Sequence, residues 1–157
     1  MSDHLITYLH DHLAGARFAV TLLHDLSGQK LDAEVAELAA ALLPEIEADR
    51  SELEDLVKQL GGDSTALKDV AAWVAQKASR FKLSLSEPIG RFEAIEMLCL
   101  GVLGKLSLWN ALGELSTADS RIMRLNLPRL IACARDQHQR LETLRLKLAI
   151  QALSLRA

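Results

Sequence analysis

Aromatic residues are scarce in this chain of 157 residues, at 4% of all positions. Proline occurs only three times and glycine eight times, so few residues interrupt regular backbone structure. Half of the residues are hydrophobic, mostly Leu and Ala, and these two are good helix formers, as are Glu, Lys, Gln and Arg. The composition therefore predicts an all-α protein, and the length suits one domain, residues 1–157, with its own core.

The chain also lacks the features of several functional classes. Its net charge of −3 provides no basic footprint, so we expect no nucleic-acid partner. The first twelve residues, "MSDHLITYLHDH", have neither the basic nor the apolar region of a signal peptide. No uninterrupted apolar run reaches the roughly 18 residues of a membrane span. We expect a cytoplasmic protein in which Cys99 and Cys133 are reduced core residues.

Known catalytic motifs are missing as well. There is no Cys-x-x-Cys, no His-Glu-x-x-His and no glycine-rich phosphate loop that follows a strand. "GVLGK", residues 101–105, is part of an apolar helical stretch, where the backbone has no free amides for a phosphate.

Hydrophobic spacing of three and four predicts five helices, four long and one shorter. Their expected limits are about 3–27, 33–60, 63–82, 88–115 and 126–154. "SGQK" ends the first helix, and Gly61 and Gly62 end the second. Pro44 lies inside the second helix, where it produces either a tolerated kink or a free carbonyl near a functional site.

The connection lengths predict how the helices are arranged. The link after the first helix is short, so the first two helices should be antiparallel. The connection from 61 to 87 is too long for a hairpin, and its helix can carry the chain back along the bundle. This predicts a ferritin-like antiparallel four-helix bundle with a long helical crossover between the second and third long helices. The alternative is an up-down bundle with the fifth helix docked at its side.

Opposite charges also suggest which helices are neighbours. Residues 32–60 contain nine acidic and two basic residues, whereas residues 121–157 contain eight basic and two acidic ones. The two segments can pair side by side, or each can present a separate solvated face.

Three helices each place a polar residue on the apolar stripe: His12, Asp49 and His138. The predicted loops bring residue 47 level with residue 103, and residue 103 level with residue 139. His12, the stretch from Glu45 to Asp49 and His138 should therefore converge at one height in the bundle.

Three interpretations of this convergence remain open. His12, Glu45, Asp49 and His138 are candidate ligands for iron, manganese or zinc. The same side chains can instead form a buried hydrogen-bonded network that needs no cofactor. A small-ligand carrier would have an apolar cavity near Gly101 and Gly104, although these glycines also permit close approach of a neighbouring helix.

Several stretches resemble the ferritin-like superfamily, and more narrowly its bacterial members. They are "YLHDHLAGARFAV", "EIEADRSELEDLVKQLGG", "AAWVAQKASRFKL", "FEAIEMLCLGVLGKLSLWNAL" and "ARDQHQRLE". The resemblance implies a four-helix bundle with a helical crossover, a di-iron centre and a homodimer formed through flat apolar faces.

The ligand pattern departs from that superfamily, because Glu47 is followed three places later by Arg50 and not by His. We therefore expect a structural or binding protein without an intact di-iron centre, whose partner is a second copy, another protein or a small apolar ligand. The alternative is a metal-binding protein or di-metal redox enzyme with non-standard ligands.

Overall fold

The computed structural model describes residues 3–62 and 66–155, and this part of the chain contains helices and no strands. The long helices are α1 (His4–Gly28), α2 (Ala33–Gln59), α4 (Pro88–Leu115) and α5 (Leu127–Leu153), with α3 (Ala66–Ser84) between α2 and α4. A 3₁₀ turn, Ser120–Ile122, lies between α4 and α5. The all-α prediction is confirmed. The expected start of the third helix at Asp63 or Ser64 falls outside the described residues.

Side chains and glycines at the ends of the helices explain these limits. Asp32 accepts a hydrogen bond from the Val35 amide at the start of α2, which satisfies one otherwise unpaired donor. At the end of α2, Gly61 has a φ of +79°, a conformation that glycine adopts without strain. The Gly62 amide then donates to the Val57 carbonyl, as in a Schellman motif. The helix limits are therefore encoded locally.

Pro44 does not divide the second helix, because α2 is continuous from Ala33 to Gln59. The proline removes the amide that would bond to the Ala40 carbonyl. Both Pro44 and Ala40 are exposed, so water can satisfy that carbonyl. The tolerated-kink interpretation fits this arrangement, and the freed carbonyl is not part of an internal site.

The four long helices pack mainly as two pairs, α1 with α2 and α4 with α5. Fewer contacts join α1 to α4 and α2 to α5. Three ion pairs show that α2 and α5 are antiparallel neighbours: Glu34–Lys147, Glu45–Arg140 and Glu52–Arg129. The expectation that the acidic segment lies beside the basic one is therefore confirmed.

α3 packs against α1, and to a smaller extent against α4. The Phe18 ring of α1 contacts the rings of Trp73 and Phe81, with centroid separations of 6.3 and 5.9 Å. Val74 and Ala78 on the same helix are buried. α3 thus docks on the other helices through an apolar face.

The corner from α3 to α4 is closely packed. A Cβ atom on Gly90 would lie 1.9 Å from the Ser84 carbonyl oxygen, so only glycine fits there. Arg91 is buried and donates hydrogen bonds to the carbonyls of Leu85 and Ser86. This corner sets the direction in which α4 leaves α3.

α4 is the most apolar helix in the described part of the chain. An 18-residue window within it has a mean hydropathy of 1.4, which meets the length and composition of a membrane span. The core helix of a bundle passes the same test, and 39% of this window is buried. The sequence predicted no membrane span, because no uninterrupted apolar run is long enough. The average hydropathy of α4 nevertheless reaches the level of a span, so this average alone does not distinguish a core helix from a membrane helix.

Candidate functional site

A polar cluster lies between three of the helices and is formed by Asp49 of α2, Lys105 of α4 and Gln137 of α5. Lys105 Nζ donates hydrogen bonds to Asp49 Oδ2 and to Gln137 Oε1, both at 2.5 Å. Gln137 Nε2 donates to Asp49 Oδ2 at 3.2 Å and to Glu45 Oε2 at 3.3 Å. Asp49 and Gln137 are buried. The amide of Gln137 is thereby oriented by an ammonium group on one side and two carboxylates on the other.

Burial and charge pairing explain the electrostatics of this polar cluster. Moving a charged group away from water is unfavourable unless a partner compensates its charge, and Asp49 provides that partner for Lys105. Desolvation lowers the pKa of Lys105, and the nearby carboxylate of Asp49 opposes this effect only in part. Lys105 therefore loses its proton more readily than an exposed lysine.

Glu45 lies at the outer edge of the polar cluster. Its Oε2 atom accepts hydrogen bonds from Gln137 and from Arg140 Nη2. Arg140 also forms an ion pair with Asp136, which is on its own helix. The carboxylate of Glu45 is therefore engaged with a guanidinium group.

A cavity of about 260 Å³ adjoins the polar cluster and opens between α1 and α4. A Cβ atom on Gly15, Gly101 or Gly104 would meet no atom within 4 Å. These glycines thus leave an opening and do not mediate a close helix contact, which corrects that interpretation of Gly101 and Gly104. The cavity expected near them is present. Its apolar lining comprises Ala16, Ala19, Leu23, Leu42, Ile46, Leu53, Leu98, Val102, Leu108 and Leu141.

Polar side chains line the cavity at a few points, among them His12, Asp49, Arg50 and Lys105. His12 is half-buried, and desolvation lowers its pKa, with Asp11 opposing the shift. The imidazole is therefore mostly neutral at pH 7. Among the described residues Arg50 Nε has no hydrogen-bond partner although it is buried, since the nearest Glu54 oxygen is 3.7 Å away.

The structure brings together some of the predicted site residues. His12 and Asp49 line the same cavity, and Glu45 connects to Asp49 through Gln137. His138 is not among them, because it is only partly buried and lies on α5 one turn before Glu142. In the described part of the chain it forms no hydrogen bond with Asp49 or Glu45. The prediction that His138 faces inward is therefore wrong.

The predicted register of α2, α4 and α5 is correct. The offset between Asp49 and Lys105, which are hydrogen bonded, equals the expected offset between residues 47 and 103. The pairing of Lys105 with Gln137 also matches the expected pairing of residues 103 and 139, because two residues forward along α4 correspond to two residues back along the antiparallel α5. The face of α5 is also correct at Ala134, Leu141 and Leu148, which are buried. Its buried polar residue is Gln137 and not His138, and these two positions differ by about 100° around the helix.

Lys105 and Gln137 were missed by the sequence analysis. Gln137 lies three residues after Ala134 and four before Leu141, and this spacing already places it on the buried stripe. Lys105 lies three residues after the buried Val102, but apolar residues surround it in the sequence and hide this signal. A lysine in an apolar helix beside an inward aspartate was the signal that could have identified the pair.

His10 and one of the two cysteines are shielded from solvent. The Nε2 atom of His10 is buried, and a Cβ atom on Gly62 would lie only 3.2 Å from it. Cys99 and Cys133 are unpaired, as expected, but only Cys99 is buried. Burial raises the pKa of Cys99 to about 12, so its thiol remains protonated.

The donors present do not fit a di-iron centre. Such a centre requires several carboxylates and histidines directed at the same point, whereas Asp49 faces the ammonium group of Lys105 and Glu45 faces Arg140. Across residues 3–62 and 66–155, no group of three or more His, Cys, Asp or Glu side chains is placed to hold a metal ion.

Comparisons of the chain with protein-family models, with curated proteins and with solved structures give no significant match. A functional proposal therefore depends on the geometry of the site itself. That geometry combines an apolar cavity, a buried amine with its counterion and a neutral imidazole. It is suited to holding a small molecule that has an apolar body and one polar group.

Proposed function

We propose that this protein binds a small, mainly apolar molecule in the cavity between α1 and α4, with the polar group of the ligand directed at the polar cluster. The observation that carries the proposal is the cavity of about 260 Å³, which has an apolar lining and converging polar side chains. Such a combination is typical of small-molecule sites. Its volume is at the small end for these sites, which favours a compact ligand.

The glycines at the opening support this proposal. Gly15, Gly101 and Gly104 are inside helices, where each glycine is about 1 kcal/mol less favourable than alanine. No neighbouring atom requires their lack of a side chain. Access to the cavity is a reason for small residues at these three positions.

The proposal includes a ferritin-like bundle with α3 as the crossover, acting as a cytoplasmic binding protein without a di-iron centre. It is supported by the antiparallel pairs of helices and by the Asp49–Lys105 contact, which makes α2 and α4 parallel neighbours across the core. The alternative of a metal-binding protein or redox enzyme is weakened by the engagement of Asp49 and Glu45 with cationic side chains.

Calorimetric titration with hexanol, a small apolar alcohol, tests the proposal. The wild-type protein should bind one equivalent saturably, and Gly101→Leu should lose this binding because the new side chain fills the opening. Gly113→Leu is the matched control, since Gly113 is on the same helix, has open space at its Cβ position and does not line the cavity. Equal binding by wild type and Gly101→Leu would contradict the proposal, as would no binding by the wild type.

A homodimer is a second proposal, favoured by exposed apolar side chains on the outer side of α4 and near the end of α5. They are Ile89, Met97, Leu100 and Leu103 on α4, and Leu146, Ile150 and Leu153 on α5. The Glu96–Arg145 ion pair shows that these two stretches lie at the same end of the α4–α5 pair. Glu93 is the only exposed charged residue of α4 between Ile89 and Leu103, so two copies of this face can meet with little charge repulsion.

Light scattering coupled to size-exclusion chromatography tests the dimer. The wild type should have the mass of two chains, and Leu100→Glu should have the mass of one. Leu31→Glu, at a position exposed between α1 and α2, is the control and should leave the dimer intact. A monomeric wild-type protein would refute this second proposal without affecting the cavity.

A further inference from the structure

Lys105 has the surroundings of an amine that reacts with carbonyl compounds. Within the described part of the chain, it is the only lysine that lines the cavity between α1 and α4. Its Nζ atom donates to two acceptors, Asp49 Oδ2 and Gln137 Oε1. A neutral amine has two N–H groups and one lone pair, so both acceptors can be satisfied while the lone pair remains available.

Burial increases the fraction of Lys105 in this neutral form. Desolvation is the largest influence on the amine and lowers its pKa. Only the neutral amine is a nucleophile, and a lysine in an apolar pocket is activated in this way. Other lysines differ in position: the side chains of Lys82 and Lys147 are 72% and 56% exposed, and neither lines the cavity.

We infer that Lys105 forms a reversible imine with a small apolar aldehyde that enters this cavity. The inference rests on the proposed function, because the aldehyde must first occupy the cavity. It names the chemical class of the ligand and gives Lys105 a covalent role.

The reaction balances without an additional reagent. The lone pair of Nζ attacks the carbonyl carbon, a C–N bond forms, and the carbonyl oxygen takes up the displaced electron pair. The two protons of the amine leave with that oxygen as one water molecule, which leaves a C=N bond. The imine nitrogen then takes a proton from solvent and becomes an iminium ion, and Asp49 is positioned to relay protons during these steps.

Charge balance favours an aldehyde over an apolar carboxylate. A carboxylate ligand would approach the carboxylates of Asp49 and Glu45, which would repel it. The cations beside these two groups, Lys105 and Arg140, are already paired with them. An aldehyde is neutral, and its iminium product has the same charge at the same nitrogen atom as the original ammonium group. Asp49 therefore keeps its counterion after the reaction.

Reductive trapping tests the inference. The intact protein is incubated at pH 7.5 with one equivalent of hexanal and cyanoborohydride, and the alkylated lysines are located by peptide mass spectrometry. Lys105 should be alkylated in preference to Lys82 and Lys147 by about tenfold or more, because the cavity holds the aldehyde next to its amine, whereas the other two lysines meet the aldehyde only in solution. Equal labelling of all three lysines would overturn the inference.

Two variants separate the inference from the proposed function. Lys105→Arg keeps a positive charge beside Asp49 but should lose the preferential label. Gly101→Leu keeps Lys105 but fills the opening, and should also lose it. If hexanol binds the wild type saturably while hexanal does not label Lys105, the binding proposal stands and the imine is refuted. If labelling of Lys105 persists in Gly101→Leu, the reaction does not require the cavity and the inference is overturned.

Discussion

At the scale of single residues, the Lys105–Asp49 pair is the feature that most distinguishes the interior of this protein from a purely apolar core. The side chains are only 14% and 7% exposed, so water screens their charges weakly. A buried pair of this kind adds little stability relative to apolar residues, yet removing one partner leaves an uncompensated charge. We regard the pair as functional because it faces the cavity.

Substituting Lys105 alone, or Lys105 together with Asp49, measures how much stability is lost when one charge of the pair is left without its partner. Lys105→Met should lower the free energy of unfolding by about 3–5 kcal/mol, because Asp49 stays buried without its counterion. The double variant Lys105→Met with Asp49→Leu should recover most of this loss. Urea unfolding followed by circular dichroism gives both values. A double variant as unstable as the single one would show that the pair itself contributes net stability.

At the scale of the helices, the corner between α3 and α4 is where a larger side chain is least tolerated. Gly90→Ala would place a methyl group 1.9 Å from the Ser84 carbonyl oxygen, so the backbone must move. We expect a loss of about 1–3 kcal/mol in unfolding free energy, in the range of overpacked sites. Chemical denaturation is the appropriate measurement.

Gly113→Ala provides the control for the corner. Gly113 is on the same helix and has open space at its Cβ position, so alanine there should stabilise the helix by up to about 1 kcal/mol. If Gly90→Ala is also stabilising, α4 does not depend on close approach at the corner.

At the scale of the whole molecule, the buried amine makes stability depend on pH. The folded-state pKa of Lys105 is below its ordinary value of 10.5, to which it returns in the unfolded chain. Between these two pKa values the unfolded state binds more protons, so the free energy of unfolding should rise with pH. As pH falls through the lowered pKa, this contribution is lost.

Urea unfolding of the wild type and of the Lys105→Met, Asp49→Leu variant at several pH values below 10.5 measures this effect. The wild type should gain stability relative to the variant as the pH increases. The same comparison with Lys147→Met, which removes an exposed lysine, should show no such gain. Parallel pH profiles for wild type and double variant would contradict a lowered pKa for Lys105.

The sequence by itself determined the helices, their ends and the register of α2, α4 and α5. Helix limits depend on local signals such as Asp32 and Gly61, and short connections transmit the register from one helix to the next. The acidic and basic segments likewise identified α2 and α5 as neighbours. Each of these properties depends on a short stretch of sequence or on the number of residues between two such stretches, so periodicity and composition are sufficient to predict them.

Only the tertiary structure decided which polar side chains meet. Residues 137 and 138 of α5 differ by about 100° around the helix, and packing against α2 and α4 selects Gln137 for the interior. Lys105 faces inward because Asp49, 56 positions earlier in the chain, compensates its charge. The cavity also required the fold, since an opening exists only where the small residues of α1 face those of α4 with nothing between them.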